Sequence, residues 1–266
     1  MIGLIFPTVA NPFFGELVEQ LESKLFDLGY RSILCDSANN KEKERNYLNM
    51  LAANKVDGII AGAHNLEIQE YENIELPIVS FDRYLADGTP IVSSDNFRGG
   101  YLATENLYLK GARKIAILTG SQESNSPTND RMNGYLKFMD EQQLEPQIFQ
   151  FHSTARSTAL KNLEIKRILQ NEEIDSIFCT DDLTAVLAYN LCQELDIRIP
   201  EQLKIIGYDG TKFIQNYFPH LSTIAQPITD IADILVDLLL QRIQDAEKPL
   251  ESHYVLPVKL IQGKTT

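Results

Sequence analysis

The chain has 266 residues, with 24 Lys and Arg against 37 Asp and Glu (net charge −13), and is 44% hydrophobic and 23% charged. This is the balance of a soluble globular protein with room for two small cores. It argues against direct nucleic-acid binding by these residues, because phosphate contact rests on Lys and Arg. No apolar run reaches the roughly 18–20 residues of a membrane span.

Read in order, the chain alternates strand and helix. Ile2–Phe6 is an apolar first strand, and Met1–Pro7 lacks the basic n-region and cleavage site of an export leader, so a cytoplasmic protein is expected. Asn11-Pro12 places a cap and an N1 proline ahead of a helix with Phe13, Leu17, Leu21, Leu25 and Leu28 on one face, ended by Gly29. Strands follow at Arg31–Asp36, Gly58–Ala63, Pro77–Phe81 and Ile91–Ser94, with a helix at Lys41–Asn54. A second series runs from the helix Gly99–Lys110 through the strand Lys114–Thr119, the polar loop Gly120–Asn129 and the helix Asp130–Gln142. It continues with the strand Gln147–Phe151, the helix Ser157–Asn171, the strand Ser176–Thr180, the helix Leu183–Leu195 and the strand Leu203–Tyr208. After Ser222–Ala225 a long helix, Ile228–Gln244, leads to one last strand over His253–Leu260.

Such alternation predicts an α/β fold of two doubly wound parallel-sheet lobes, each with about five strands. No Gly/Ser-rich linker separates the two series, so short crossings are expected between them.

Cys35, Cys179 and Cys192 are odd in number and far apart, and the four histidines, His64, His152, His220 and His253, form no ligand pairing. The cysteines read as buried small hydrophobes in a reducing compartment, and neither a metal nor a cofactor is expected. Nucleophile, Walker and dinucleotide motifs are also missing, which argues against an enzyme.

Ligands of open α/β sheets bind at the carboxyl ends of strands. There the sequence places Asn11 with Phe13 and Phe14, then Phe81-Asp82-Arg83, Arg131 at a helix start, Asp181-Asp182, Asp209-Gly210-Thr211, and Gln226-Pro227. Singly, each has an ordinary explanation: a cap for Asn11 or Asp182, a turn at Asp209-Gly210, core packing for the phenylalanines. As a set they offer two guanidinium forks, several carboxylates, two amides and aromatic faces. Sugars need that mixture, because each hydroxyl both donates and accepts while the C–H face of the ring packs on an aromatic ring.

The blocks Asn11-Pro12-Phe13-Phe14, Val56-Asp57-Gly58-Ile59-Ile60, Ser94-Asp95-Asn96, Arg131-Met132-Asn133-Gly134-Tyr135, Gly207-Tyr208-Asp209 and Thr223-Ile224-Ala225-Gln226-Pro227 resemble, in order and spacing, the lactose/galactose-repressor family. The resemblance spans the whole chain and implies the fold of periplasmic sugar-binding proteins (type I), with a three-crossing hinge. It divides the chain into a lobe of residues 1–92 plus 226–256 and a lobe of 93–225 plus 257–266. Carried over from ribose-type sensors, it implies a cleft between the lobes that holds ribose or a similar small sugar with Asn11, Phe13, Phe14, Asp82, Arg83, Arg131, Asp209 and Gln226. Asp181, where the family usually has Asn, and Phe151 as an aromatic cover complete the expected ligand set.

The same resemblance implies a homodimer that meets operator DNA through an N-terminal helix-turn-helix absent from these residues. Tyr217-Phe218-Pro219, expected to be an exposed aromatic stretch, is one candidate for the dimer face, a local cover over its own lobe being the alternative. An exported sugar receptor is the alternative. The missing leader and the terminal run Leu256–Thr266, which resembles the repressors, favour the regulator.

Overall fold

The computed structural model of the chain describes residues 1–62, 65, 68–120, 127–151, 158–171, 173–246 and 248–266. His64, His152, most of the loop expected at Gly120–Asn129, and the terminal residues Ala63 and Ser157 of two expected elements lie outside them. The chain divides into two compact units, Met1–Ser94 with Pro227–Leu256 and Asp95–Gln226 with Pro257–Thr266.

The first unit contains β1 (Ile2–Phe6), α1 (Pro12–Asp27), β2 (Ser32–Asp36), α2 (Lys41–Ala53), β3 (Gly58–Ala61), α3 (Glu70–Asn73), β4 (Ile78–Phe81) and β5 (Ile91–Ser94). The second contributes α4 (Asn96–Leu109), β6 (Ile115–Gly120), α5 (Pro127–Glu141), β7 (Gln147–Phe151), α6 (Thr158–Leu169), β8 (Ser176–Cys179), α7 (Asp182–Glu194), β9 (Lys204–Asp209), α8 (Lys212–Tyr217) and β10 (Ser222–Ala225). The chain then returns to the first unit for α9 (Ile228–Gln244) and β11 (His253–Leu256), and ends in the second with β12 (Lys259–Ile261).

Each sheet has six strands, ordered β11-β5-β4-β3-β1-β2 and β12-β10-β9-β8-β6-β7. Neighbours run parallel throughout, except for the antiparallel pair β10 and β12. Strand order reverses beside β1 in one sheet and beside β6 in the other, which sets the ligand-competent ends of the strands there.

The period of two in β1 shows how the sequence builds both faces. Ile2, Leu4 and Phe6 enter the core that α1 and α9 cover, and Ile5 enters the opposite core with Leu48 and Leu51 of α2. Gly3 faces Leu51, and a Cβ there would lie 2.6 Å from a Leu51 methyl. In the second unit Ile177 and Cys179 of β8 pack with α6 and α7, while Phe178 between them packs with Tyr208 and Tyr135 on the other face. The three cysteines are buried, and burial pushes the thiols of Cys35 and Cys192 up to about 11 and about 12.

Four expectations need correction. The final strand is two strands: Pro257 has no N–H to donate, and β11 pairs with β5 in the first sheet while β12 pairs with β10 in the second. The first boundary falls after Ser94 and not after residue 92, because β5 is laddered to β4 and β11. Gln226 belongs to the second unit, held there by its N–H to the Asp209 carbonyl (3.0 Å). Finally, Tyr217-Phe218-Pro219 is not uniformly exposed: Tyr217 ends the short helix α8 and is 69% exposed, but Phe218 packs on the core.

Candidate functional site

In the first unit, Asn11 caps α1 by accepting the Phe13 N–H at 2.9 Å, with Pro12 opening the helix. The helix start thereby sets Phe13 and Phe14 at the end of β1. Phe13 stacks 5.6 Å from Phe81 at the end of β4, and Phe14 lies 5.3 Å from Phe13 and 6.1 Å from Phe6. Both rings are largely buried in the core.

Asp82 and Arg83 follow Phe81 directly. Asp82 has φ +67, a left-handed conformation at a strand end, with its N–H on the Val92 carbonyl (2.8 Å). Strained backbone of this kind gathers at ligand sites, where the surrounding structure holds it. Arg83 is 8% exposed, and its carbonyl accepts the Ser80 hydroxyl. Its charge is felt by Glu44 of α2, a fully buried carboxylate that accepts Tyr71 OH (2.8 Å) and Asn65 Nδ2 (2.6 Å). Burial raises the Glu44 carboxyl, and the hydrogen bonds and Arg83 oppose that rise.

The second unit brings three of the expected residues into one network. Arg131 of α5 is 8% exposed and donates from Nε to Asn96 Oδ1 (2.8 Å) and from a terminal nitrogen to the Thr180 carbonyl (2.6 Å). That terminal nitrogen stands 3.7 Å from the Asp209 carboxylate, and the guanidinium carbon lies 3.7 Å from the centre of the Tyr208 ring. Gln226 Nε2 donates to Asp209 Oδ1 at 2.8 Å. Asp209 itself has φ +120 and is followed by Gly210 at φ +61, where a Cβ would lie 2.5 Å from Ala225. Only glycine fits that turn.

Two expected residues stand apart from the network. Asp181 is the N-cap of α7: Oδ1 accepts the Thr184 N–H and Oδ2 the Thr184 hydroxyl, each at 2.7 Å. Phe151 is buried in the β8-side core, with Lys161 Nζ 5.7 Å from its ring centre. Lys161 also donates to Thr184 (2.8 Å), which ties α6 to the start of α7.

The expected ligand set did not include Asn96, Tyr208 or Asp182. Asn96 lies in the quoted block Ser94-Asp95-Asn96, and its oxygen receives both Arg131 and, at 3.3 Å, Tyr208 OH. Asp182, read as a cap, is one residue past the cap. It is 2% exposed and accepts the Gly210 N–H (2.7 Å) and the Thr223 hydroxyl (2.6 Å). Burial first, then the charge of Asp209, pushes its carboxyl well above the usual carboxylate range.

Residues 104–266 match the family of periplasmic binding protein-like domains. The sucrose operon repressor of Pediococcus pentosaceus is 54% identical over 265 residues, covering 100% of this chain and 81% of that protein. The chain belongs to the lactose/galactose-repressor family. A second relative, the ribose operon repressor of Halalkalibacterium halodurans, is 35% identical over 269 residues, 100% of this chain and 79% of that protein. Among solved structures, a periplasmic binding protein/LacI transcriptional regulator from Alkaliphilus metalliredigens complexed with D-xylulofuranose superposes with a TM-score of 0.89. It is 33% identical and covers 100% of this chain and 98% of that one. Membership in this family makes the chain the effector-binding part of a repressor and not an enzyme. It also favours the regulator over the exported receptor.

Proposed function

We propose that these 266 residues sense sucrose, or a sugar carrying the same fructofuranosyl ring, and pass its presence to operator binding. The reading is carried by the buried cluster of Arg131, Asp209 and Gln226 at the carboxyl ends of the second sheet, a set of fork, carboxylate and amide that suits hydroxyl pairs. Its charges are answered internally: Asp209 stands beside Arg131, and in the first unit Glu44 lies within the field of Arg83. An uncharged sugar fits such a balance better than a phosphorylated one, which would call for surplus positive charge.

The sucrose operon repressor at 54% identity supports sucrose over the ribose expected from the sequence. The bound D-xylulofuranose of the solved relative supports a ketofuranose ring. Ribose remains the second reading, supported by the 35% identical ribose operon repressor.

The proposed sugar contacts of the first unit are Asn11, Phe13, Phe14, Asp82 and Arg83, and those of the second unit include Arg131, Asp209 and Gln226. Asp181 and Phe151, both linked to Lys161 near the start of α7, complete the proposed set in the second unit. The protein acts in the cytosol as a homodimer, and the DNA contact is made by residues other than these, whose net charge is −13.

A thermal-shift series with sucrose, ribose, fructose and sucrose 6-phosphate tests this, because a ligand that binds only the folded state raises the melting temperature. The largest shift is expected from sucrose. A shift with sucrose 6-phosphate alone would contradict the uncharged-sugar reading, and a shift with ribose alone would favour the second reading.

A further inference from the structure

Two aspartates follow β8, and the structure separates their work. Asp181 turns both oxygens back onto its own helix, at Thr184. Asp182 turns both away from it, to the Gly210 N–H after β9 and the Thr223 hydroxyl on β10. A first-turn acid that served the helix alone would be better left in water, since burying a carboxylate is costly. Asp182 is 2% exposed. It also lies so close over β9 that a Cβ on Gly207 would overlap its Oδ1, which fixes the glycine of Gly207-Tyr208-Asp209.

The peptide it grips is the one joining Asp209 to Gly210. Asp209 holds φ +120, which an unsupported chain would not favour at an aspartate, and Gly210 follows at φ +61, a conformation open to glycine. The other side of this turn is held by Gln226, whose N–H reaches the Asp209 carbonyl and whose side-chain amide reaches its carboxylate. We propose that Asp182 is a positioning residue: it locks the Asp209–Gly210 peptide so that the Asp209 carboxylate stands beside Arg131 and Gln226, without touching the sugar itself. The proposal rests on the site reading given above.

The test compares Asp182→Ala, Asp182→Asn and Arg131→Ala in the 266-residue protein, using two measurements. Amide hydrogen exchange at Gly210 reads the lock without any ligand, and titration calorimetry with sucrose reads its consequence. In Asp182→Ala the Gly210 N–H and Thr223 hydroxyl lose a buried acceptor, so Gly210 exchange should rise and sucrose affinity fall, each by about tenfold or more. Asp182→Asn keeps an oxygen for Gly210 and presents an NH2 to the Thr223 oxygen, so it should stay within about threefold of the native protein on both readouts. A residue needed only for general stability would not show this rescue by the amide.

Unchanged Gly210 exchange in Asp182→Ala overturns the proposal whatever the ligand does. So does native sucrose affinity in Asp182→Ala when Arg131→Ala has lost it. Unchanged affinity in Arg131→Ala overturns the site reading instead. If Asp182→Ala does not fold, Asp182→Ser, too short to reach Gly210, carries the same comparison with the same outcomes.

Discussion

At the scale of single residues, the second unit crowds Asp182 with two other carboxylates, Asp209 and Asp181. Asp182 faces the Asp209 carboxylate, the Asp181 cap, the Thr223 hydroxyl and the Gly210 N–H, with Arg131 beyond Asp209. Its folded pKa is raised, burial being the first cause. Between the unfolded value of about 4 and that raised value the folded protein binds more protons than the unfolded one, so stability falls as pH climbs through this window and stays lower above it. Asp182→Asn has no such proton to lose. Its stability relative to the native protein should therefore increase from about pH 4 upward, as read from melting temperatures across the pH range. A pH-independent difference would contradict the assignment. Tyr135 offers a simpler case: fully buried, it donates to the Ile115 carbonyl and accepts the Gln147 N–H, both at 2.8 Å, and so ties β6 to the start of β7. Tyr135→Phe leaves that N–H without its partner and should cost about 1–3 kcal/mol in chemical denaturation.

At the scale of elements, the site depends on how closely α4 and α5 approach. A Cβ on Gly100 would overlap the Arg131 carbonyl oxygen, and one on Gly134 would overlap that of Phe97. The two glycines let the helices meet backbone to backbone, which brings Arg131 of α5 to Asn96 at the start of α4. Gly134→Ala should push the helices apart, cost about 1–3 kcal/mol by overpacking, and weaken sucrose binding. Native stability together with native affinity would show that the approach is not needed.

The same elements show what the sequence made legible. Strand and helix order followed from apolar periodicity except for the short helices α3 and α8, and the cap at Asn11 and the span Ile228–Gln244 were readable residue by residue. The start of α4 was not: the expected helix began at Gly99, and Asn96–Arg98 join it only once Asp95 is seen as the cap that accepts the Arg98 N–H. Arg131, Asp209 and Gln226 stood out by residue type at strand ends. Asn96, Tyr208 and Asp182 did not, since their part depends on contacts 28 to 112 residues away along the chain. No local pattern encodes a partner at that distance.

At the scale of the whole molecule, the family assignment and the charge divide the work. An acidic sensor of net charge −13 reads the sugar, and its 266 residues alone should show no salt-sensitive operator binding in an electrophoretic shift assay. Tyr217 at 69% exposure and Phe213 at 45% form the aromatic face of α8, and Tyr217→Asp with Phe213→Asp tests whether that face serves the proposed dimer. Sedimentation should show a dimer for the native protein, and an unchanged dimer in the double variant would move the interface elsewhere.

The proposed ligand is a neutral fructofuranoside, and the proposed holder is the buried arginine–carboxylate–amide cluster. Titration calorimetry of the native protein, Arg131→Ala and Asp209→Ala with sucrose tests this most directly. Sucrose should bind the native protein, and each variant should lose about tenfold or more in affinity while keeping its fold, as expected when a charged partner in a desolvated site is left unpaired. No heat with sucrose in the native protein, or native affinity in both variants, would rule this ligand site out.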